Sequence, residues 1–153
     1  LTRLPTKKLI HLNNRAIAIA EQSHDIHTKV AALLVNPQTL AVSSDGFNGF
    51  VREAPDTILP TERPEKYDYL IHAEENLLCN AVRNGVKTDG CFIYVSISPC
   101  TKCLRLMWQA GIREFYFKEK YRDFDKCTSM LDLQVDLSLE DGFYHMLVSS
   151  RKP

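Results

Sequence analysis

At 153 residues, 44% hydrophobic and 25% charged, the chain has the size and composition of a single globular domain, expected to span residues 1–153 around one core. Lysine plus arginine equals aspartate plus glutamate at 19 each, so no long-range positive field exists to gather a polyanion, which argues against a polynucleotide partner and for a small substrate. No apolar run reaches the roughly 18 residues of a membrane span, residues 1–10 lack the hydrophobic stretch of a signal peptide, and five cysteines, an odd number, fit a reduced, cytoplasmic setting.

The spacing of Leu9, Leu12, Ile17 and Ile19 among alanines predicts an amphipathic helix over residues 8–22. Residues 30–35 and 40–43 are short apolar runs on either side of Asn36-Pro37 and read as a β-hairpin. A loop over residues 45–66 follows, punctuated by Gly46, Gly49, Pro55, Pro60 and Pro64, and loops of that length inside a compact domain are usually functional. Residues 73–84 carry a helical stripe of Leu77, Leu78, Ala81 and Val82, stopped by Asn84-Gly85. Residues 91–97, apolar except for Ser96, read as a strand covered on both faces. A helix opening at Pro99 and Cys100 runs to Ala110, a strand covers residues 114–117, and beyond Asp123 no element is assigned. Strand and helix alternating in this way imply parallel strands with crossover helices, hence an α/β layered fold.

Two helix starts carry the chemistry: His72-Ala73-Glu74 and Pro99-Cys100-Thr101-Lys102-Cys103. Imidazole and thiolate are good zinc ligands, and cysteines three apart share a face of a helical turn. Histidine from one helix and two cysteines from the next make three ligands, the number that leaves a catalytic zinc one open position. Helix N-termini favour thiolate over thiol, and Pro99 suits a boundary where no N–H is required. Glu74 is the natural proton carrier, although residues two apart in an ideal helix point in different directions, so His72 and Glu74 converge only where the helix begins irregularly. A lone C-x-x-C also serves as a structural zinc half-site or a redox pair, and a closed structural site would need Cys79, Cys91 or Cys127 as a fourth ligand. Cys79 and Cys91, in apolar periodic segments, read as core thiols, and Trp108 as packing. His11, His24, His27 and His145 show no ligand spacing except His24 and His27, three apart near a helix end, where a capping or surface role outweighs a second metal. Arg52, Arg63, Lys66, Lys120 and Arg122 read as solvated charges, one or two of them available to a phosphate.

H-x-E followed by P-C-x-x-C is the signature of the zinc-dependent nucleotide deaminases. Further segments narrow the likeness: Thr28-Lys29-Val30, Gly46-Phe47-Asn48-Gly49, Arg63-Pro64 with Tyr67, and Lys120-Tyr121-Arg122-Asp123. With them the chain resembles the deoxycytidylate (dCMP) deaminases over about residues 28–123. The resemblance implies a three-layer α/β/α fold with a mixed five-stranded sheet, commonly assembled as a homo-oligomer, often a hexamer. It implies zinc on His72, Cys100 and Cys103, proton transfer by Glu74, and hydrolysis of dCMP to dUMP and ammonia. Substrate contacts are expected from Asn48, the backbone of Ala73, Arg52, Lys120, Tyr121 and Arg122. Regulation by dCTP and dTTP, with Mg2+ on the triphosphate, would involve Lys29, Gly46, Phe47 and Gly49. The chain departs from the family at Ala31, where glycine is usual, and at Val51-Arg52, where Pro-Arg is usual. The competing functions are deamination of another nucleoside, a base or RNA, and a non-catalytic zinc-stabilised interaction module. The neutral charge argues against RNA, and Glu74 against the module, since a structural site has no use for it.

Overall fold

The computed structural model describes residues 2–55, 57–129 and 131–153. Helix α1 (Thr6–Ala20) is followed by β1 (Ala31–Val35), β2 (Val42–Phe47) and β3 (Gly49–Phe50). A 3-10 turn (Glu65–Asp68) precedes β4 (Leu70–Ile71), α2 (Ala73–Asn84), β5 (Phe92–Ile97), α3 (Thr101–Gln109) and β6 (Glu114–Glu119). The chain continues through α4 (Phe124–Ser129), β7 (Gln134–Glu140) and β8 (Phe143–Ser149).

The main sheet has the strand order β2-β1-β5-β6-β8-β7, and β3 pairs with β4 in a separate two-stranded ribbon. Every residue of β1 is buried because both faces of the sheet are covered. Alternation then sorts its side chains: Ala31, Leu33 and Val35 enter the cluster under α1 with Leu9, Ala16, Phe92, Tyr94 and Tyr116. Ala32 and Leu34 enter the opposite cluster under α2 and α3 with Leu77, Ile93, Val95, Leu104, Met107, Phe115 and Phe117. The result is three layers, helix, sheet and helix.

The sheet is mixed, with six strands where five were expected. Beyond Asp123, β7 and β8 form an antiparallel hairpin, and β8 docks antiparallel on β6. The signal for it was present: Val135, Leu137 and Leu139 alternate with polar residues up to Asp141-Gly142, whose φ values of 52° and 81° are those of a tight hairpin turn. Only β5 and β6 are adjacent parallel strands, joined by the crossover α3. The hairpin read over residues 30–43 is β1 against β2, and β1 also lies antiparallel to β5 on its other side. Consequently β2 and β5 point the same way with β1 between them, and α2 crosses over β1 to connect them. The helix over residues 73–84 matches its predicted bounds and ends on Gly85 at φ 65°, the left-handed conformation glycine adopts without cost, but Val82, counted in its stripe, is exposed. In α1 the buried stripe is Leu9, Ala16 and Ala20, and Ile17, expected inward, is exposed. Cys79 is likewise exposed rather than in the core, since two residues along α2 from buried Leu77 the surface has turned to solvent.

Candidate active site

Because β2, β5 and β6 run in one direction, the chain leaves all three at the same edge of the sheet, and a crevice outside strand carboxyl ends is where α/β sheets collect ligands. Asn48 follows β2, Ser98 to Cys103 follow β5, and Tyr121 and Arg122 follow β6. The excursion from β3 returns through the β3–β4 ribbon, Gly49 facing Ile71 and Phe50 facing Leu70, and delivers the chain directly into His72.

His72 is the N-cap of α2, with φ −72° and ψ 155°. Its extended backbone removes it from helical spacing, so its ring and the Glu74 carboxyl turn toward one centre although they are two residues apart. The backbone N–H of His72 donates to Glu75 Oε1 at 2.9 Å, closing one half of a capping box and fixing the entry to the helix. Cys100 is the N-cap of α3 in the same extended conformation, φ −72° and ψ 171°, with Cys103 one turn on.

His72 Nδ1 lies 3.5 Å from Cys100 Sγ and 3.3 Å from Cys103 Sγ, and the three ligand atoms are within 4.8 Å of one another. A tetrahedral zinc with bonds of about 2.3 Å to sulfur and 2.0–2.1 Å to nitrogen requires nitrogen–sulfur separations near 3.5 Å, so the donor set fits the ion in type, number and spacing. Among the described residues, the cluster contains these three groups and no fourth protein ligand, which favours an open site over a closed structural one.

The groups polarise one another. Hydrogen bonds from Cys103 and His72 hold the Cys100 thiol down at about 4 against the opposing effect of burial. Cys103 is driven upward, first by its bond to Cys100 and then by burial. His72 is raised, chiefly by its hydrogen bond to Cys100. Glu74 is buried, and that burial pushes its carboxyl up to about 7, its own backbone N–H opposing and the nearby Cys100 charge reinforcing. A carboxyl poised near neutrality can both take and give a proton.

A cavity of about 140 Å³ opens over this centre. Of the residues anticipated from sequence, His72, Glu74, Cys100, Asn48, Ala73, Tyr121 and Arg122 line it, and Cys103 lies buried behind. Arg52 instead donates to Asn80 Oδ1 at 2.6 Å, and Lys120 extends over the rings of Phe124 and Tyr144 at 5.1 and 5.3 Å; neither lines the cavity. Lys29 is exposed, Gly46 packs against the backbone of α2, and Phe47 and Gly49 continue from β2 into β3, all outside the cavity lining. Arg63, read as a surface charge, lines the cavity, as do Tyr67, Thr28 and Ser98. Lys66, also read as solvated, is 2% exposed and paired with Asp25 in the cavity wall. The hidden signal for Ser98 was its position between β5 and Pro99: its hydroxyl accepts the Tyr121 N–H at 2.7 Å and ties the two strand exits together.

Comparison with known proteins agrees with this geometry. Residues 6–119 match the family model for the cytidine and deoxycytidylate deaminase zinc-binding region. The chain is 36% identical over 121 residues to a deoxycytidylate deaminase of Homo sapiens, covering 74% of this chain and 66% of that one. It is 34% identical over 116 residues to a probable deoxycytidylate deaminase of Drosophila melanogaster, covering 68% of this chain and 56% of the relative. The chain therefore spans just under two thirds of the first relative's length and 56% of the second's. Among solved structures, a dCMP deaminase from the cyanophage S-TIM5 in complex with dCMP and dUMP shares the fold, with a TM-score of 0.71 at 23% identity, covering 85% of this chain and 95% of that one. A cytidine deaminase from Burkholderia pseudomallei shares it more distantly, with a TM-score of 0.50 at 21% identity over 71% of this chain and 80% of that one. The matched region contains the whole His72, Glu74, Cys100 and Cys103 centre, and the chain belongs to the cytidine and deoxycytidylate deaminase zinc-binding family.

Proposed function

We propose that the chain catalyses the hydrolytic deamination of dCMP to dUMP and ammonia, supplying dUMP for thymidylate synthesis. The observation that carries this reading is the three-ligand centre with buried Glu74 beside it, opening into a cavity rimmed by two arginines, in a chain whose relatives are deoxycytidylate deaminases. Bound by His72, Cys100 and Cys103, zinc supplies the Lewis acidity that lets water part with a proton near neutral pH. Glu74 accepts that proton and delivers it to ring N3 as C4 is attacked; it then takes the second proton from the oxygen added at C4 and passes it to the amine, so that ammonia leaves as the C4–N bond breaks and the C4 carbonyl forms. Asn48 and the Ala73 N–H, both on the cavity wall, orient the nucleoside, and Arg122 with Tyr121 receives the 5′-phosphate, Arg63 assisting from the opposite loop.

The same reading includes a cytoplasmic homo-oligomer, a hexamer in the family pattern, regulated by dCTP and dTTP with Mg2+ on the triphosphate. Exposed Val82 on α2 and Leu106 on α3 support self-association through the outer helices, and light scattering gives the mass directly.

Ammonia release from dCMP, CMP, deoxycytidine and cytidine in one buffer tests the substrate. A phosphate held by charge-assisted hydrogen bonds should favour dCMP over deoxycytidine by at least about tenfold in kcat/KM. Equal turnover of the two would remove the nucleotide assignment and leave a nucleoside deaminase.

A further inference from the structure

The buried ion pair in the cavity wall has no part in the chemistry above. Lys66 Nζ donates to both oxygens of Asp25, at 2.8 and 3.1 Å, with side chains 2% and 3% exposed. Asp25 Oδ1 also accepts the N–H groups of His27 at 2.8 Å and Thr28 at 3.1 Å, so one carboxylate dictates the backbone path of that segment. The next link is Asn48. Its Nδ2 donates to the Thr28 carbonyl at 2.8 Å, and its Oδ1 accepts the Val30 N–H at 2.9 Å. Those two bonds fix which end of the amide is oxygen, and they use one of its two hydrogens and one of its two lone-pair directions. The amide keeps capacity for one donor and one acceptor contact to a ligand in the cavity.

The chain from Glu21 to Val30 contains no helix or strand, and the described residues between Phe50 and Glu65, which lead to Lys66, contain none either. Val30 is joined to Asn48 by one backbone bond, the Asn48 N–H donating to the Val30 carbonyl at 3.2 Å, and no strand pairing reaches back into residues 21–29. A buried ion pair is weak evidence for stability in itself, because desolvation offsets attraction. Its output here is geometric: it clamps two loops and, through Thr28 and Val30, sets the amide that faces the substrate.

We propose that Lys66 and Asp25 are positioning residues for the deamination, acting through residues 25–30 to hold Asn48 in the orientation that receives the nucleoside. This rests on the dCMP reaction proposed above. Lys66→Met alone strands a buried carboxylate and is expected to fold poorly. The decisive protein is Asp25→Asn/Lys66→Met, in which the amide oxygen still accepts from His27 and Thr28 while the clamp is lost. It is compared, zinc-loaded, with Asn48→Ala and with the triple variant. The pair variant should keep its zinc and lose about tenfold to a hundredfold in kcat/KM for dCMP, as expected of a small misplacement. The triple variant should be no worse than Asn48→Ala, because a side chain that is absent cannot be misplaced. Amide hydrogen exchange at Thr28 and Val30 should quicken in the pair variant. Wild-type kcat/KM in the pair variant, losses that multiply in the triple variant, or unchanged protection at Thr28 and Val30 would each overturn the positioning role alone. A zinc-loaded wild-type chain with no turnover of dCMP overturns the reaction itself, and this role with it.

Discussion

Glu74 and Cys100 face the same centre and should fail differently. Glu74→Gln preserves shape and leaves all three ligands in place, so zinc content should be unchanged. Turnover should fall by at least about 10²–10⁴-fold, since the amide cannot carry a proton in any of the steps assigned to the carboxyl. Cys100→Ala removes a ligand and should lose the metal, read by elemental analysis of the purified protein. Near-normal turnover in zinc-replete Glu74→Gln would remove Glu74 from the mechanism, and full zinc in Cys100→Ala would mean the ligands are elsewhere. Arg63→Ala and Arg122→Ala should each raise KM for dCMP by about tenfold while leaving deoxycytidine kinetics unchanged, because only the nucleotide presents a phosphate to them. Equal effects on both substrates would place these arginines in general packing instead.

At the scale of elements, the contact that seats the site is the packing of β2 against α2. A Cβ added at Gly46 would fall closer than 3.0 Å to backbone atoms of Ala73, Asn76 and Leu77, none of which can rotate aside. Gly46→Ala should therefore force α2 off the sheet, destabilising by about 2–3 kcal/mol and lowering the melting temperature by roughly 5–10 °C. His72 and Glu74, at the start of that helix, should lose alignment with Cys100. Gly49→Ala is the control: its Cβ would meet only Phe47 Cε2 at 3.9 Å, an ordinary contact, so stability should hold. Scanning calorimetry of the two variants separates them, and an unchanged melting temperature in Gly46→Ala would show that the β2–α2 seat is not close-packed in solution. The glycine-rich segment that carries the family likeness thus contains one residue required by packing and one that is not.

At the scale of the molecule, the Asp25–Lys66 clamp gives stability a pH dependence of known sign. Burial pulls the Asp25 carboxyl upward, but the hydrogen bonds from Lys66 and from the N–H groups of His27 and Thr28 outweigh it, and the net shift is below its ordinary 3.8. The unfolded chain therefore takes up this proton at a higher pH than the folded one. Its stabilising contribution is complete above 3.8 and is lost as pH falls through the lower folded value. The difference in unfolding free energy between wild type and Asp25→Asn/Lys66→Met should shift against the wild type as pH drops below 3.8, measured by urea unfolding. A difference independent of pH in that range would mean the pair is not ionised together.

What could be read directly from the residues was local. His72 with Glu74, and Cys100 with Cys103, each lie at the start of one helix, and the helix over residues 73–84 declared itself by its apolar residues and its terminal glycine. The candidate metal ligands and proton carrier could be named because each set sits within five consecutive positions at a helix start. The rest depended on contacts between segments far apart in sequence. Whether Arg52 or Arg63 meets the cavity was decided by the β3–β4 ribbon, which turns the intervening loop back on itself. Lys66 looks like any surface lysine until Asp25, 41 residues away, is brought against it. Parallel or antiparallel order was decided by which strand β1 inserts between, and the sixth strand by the docking of β8 on β6. Helical spacing is encoded in a few neighbouring residues, whereas burial and pairing are properties of surfaces that exist only once the sheet has formed.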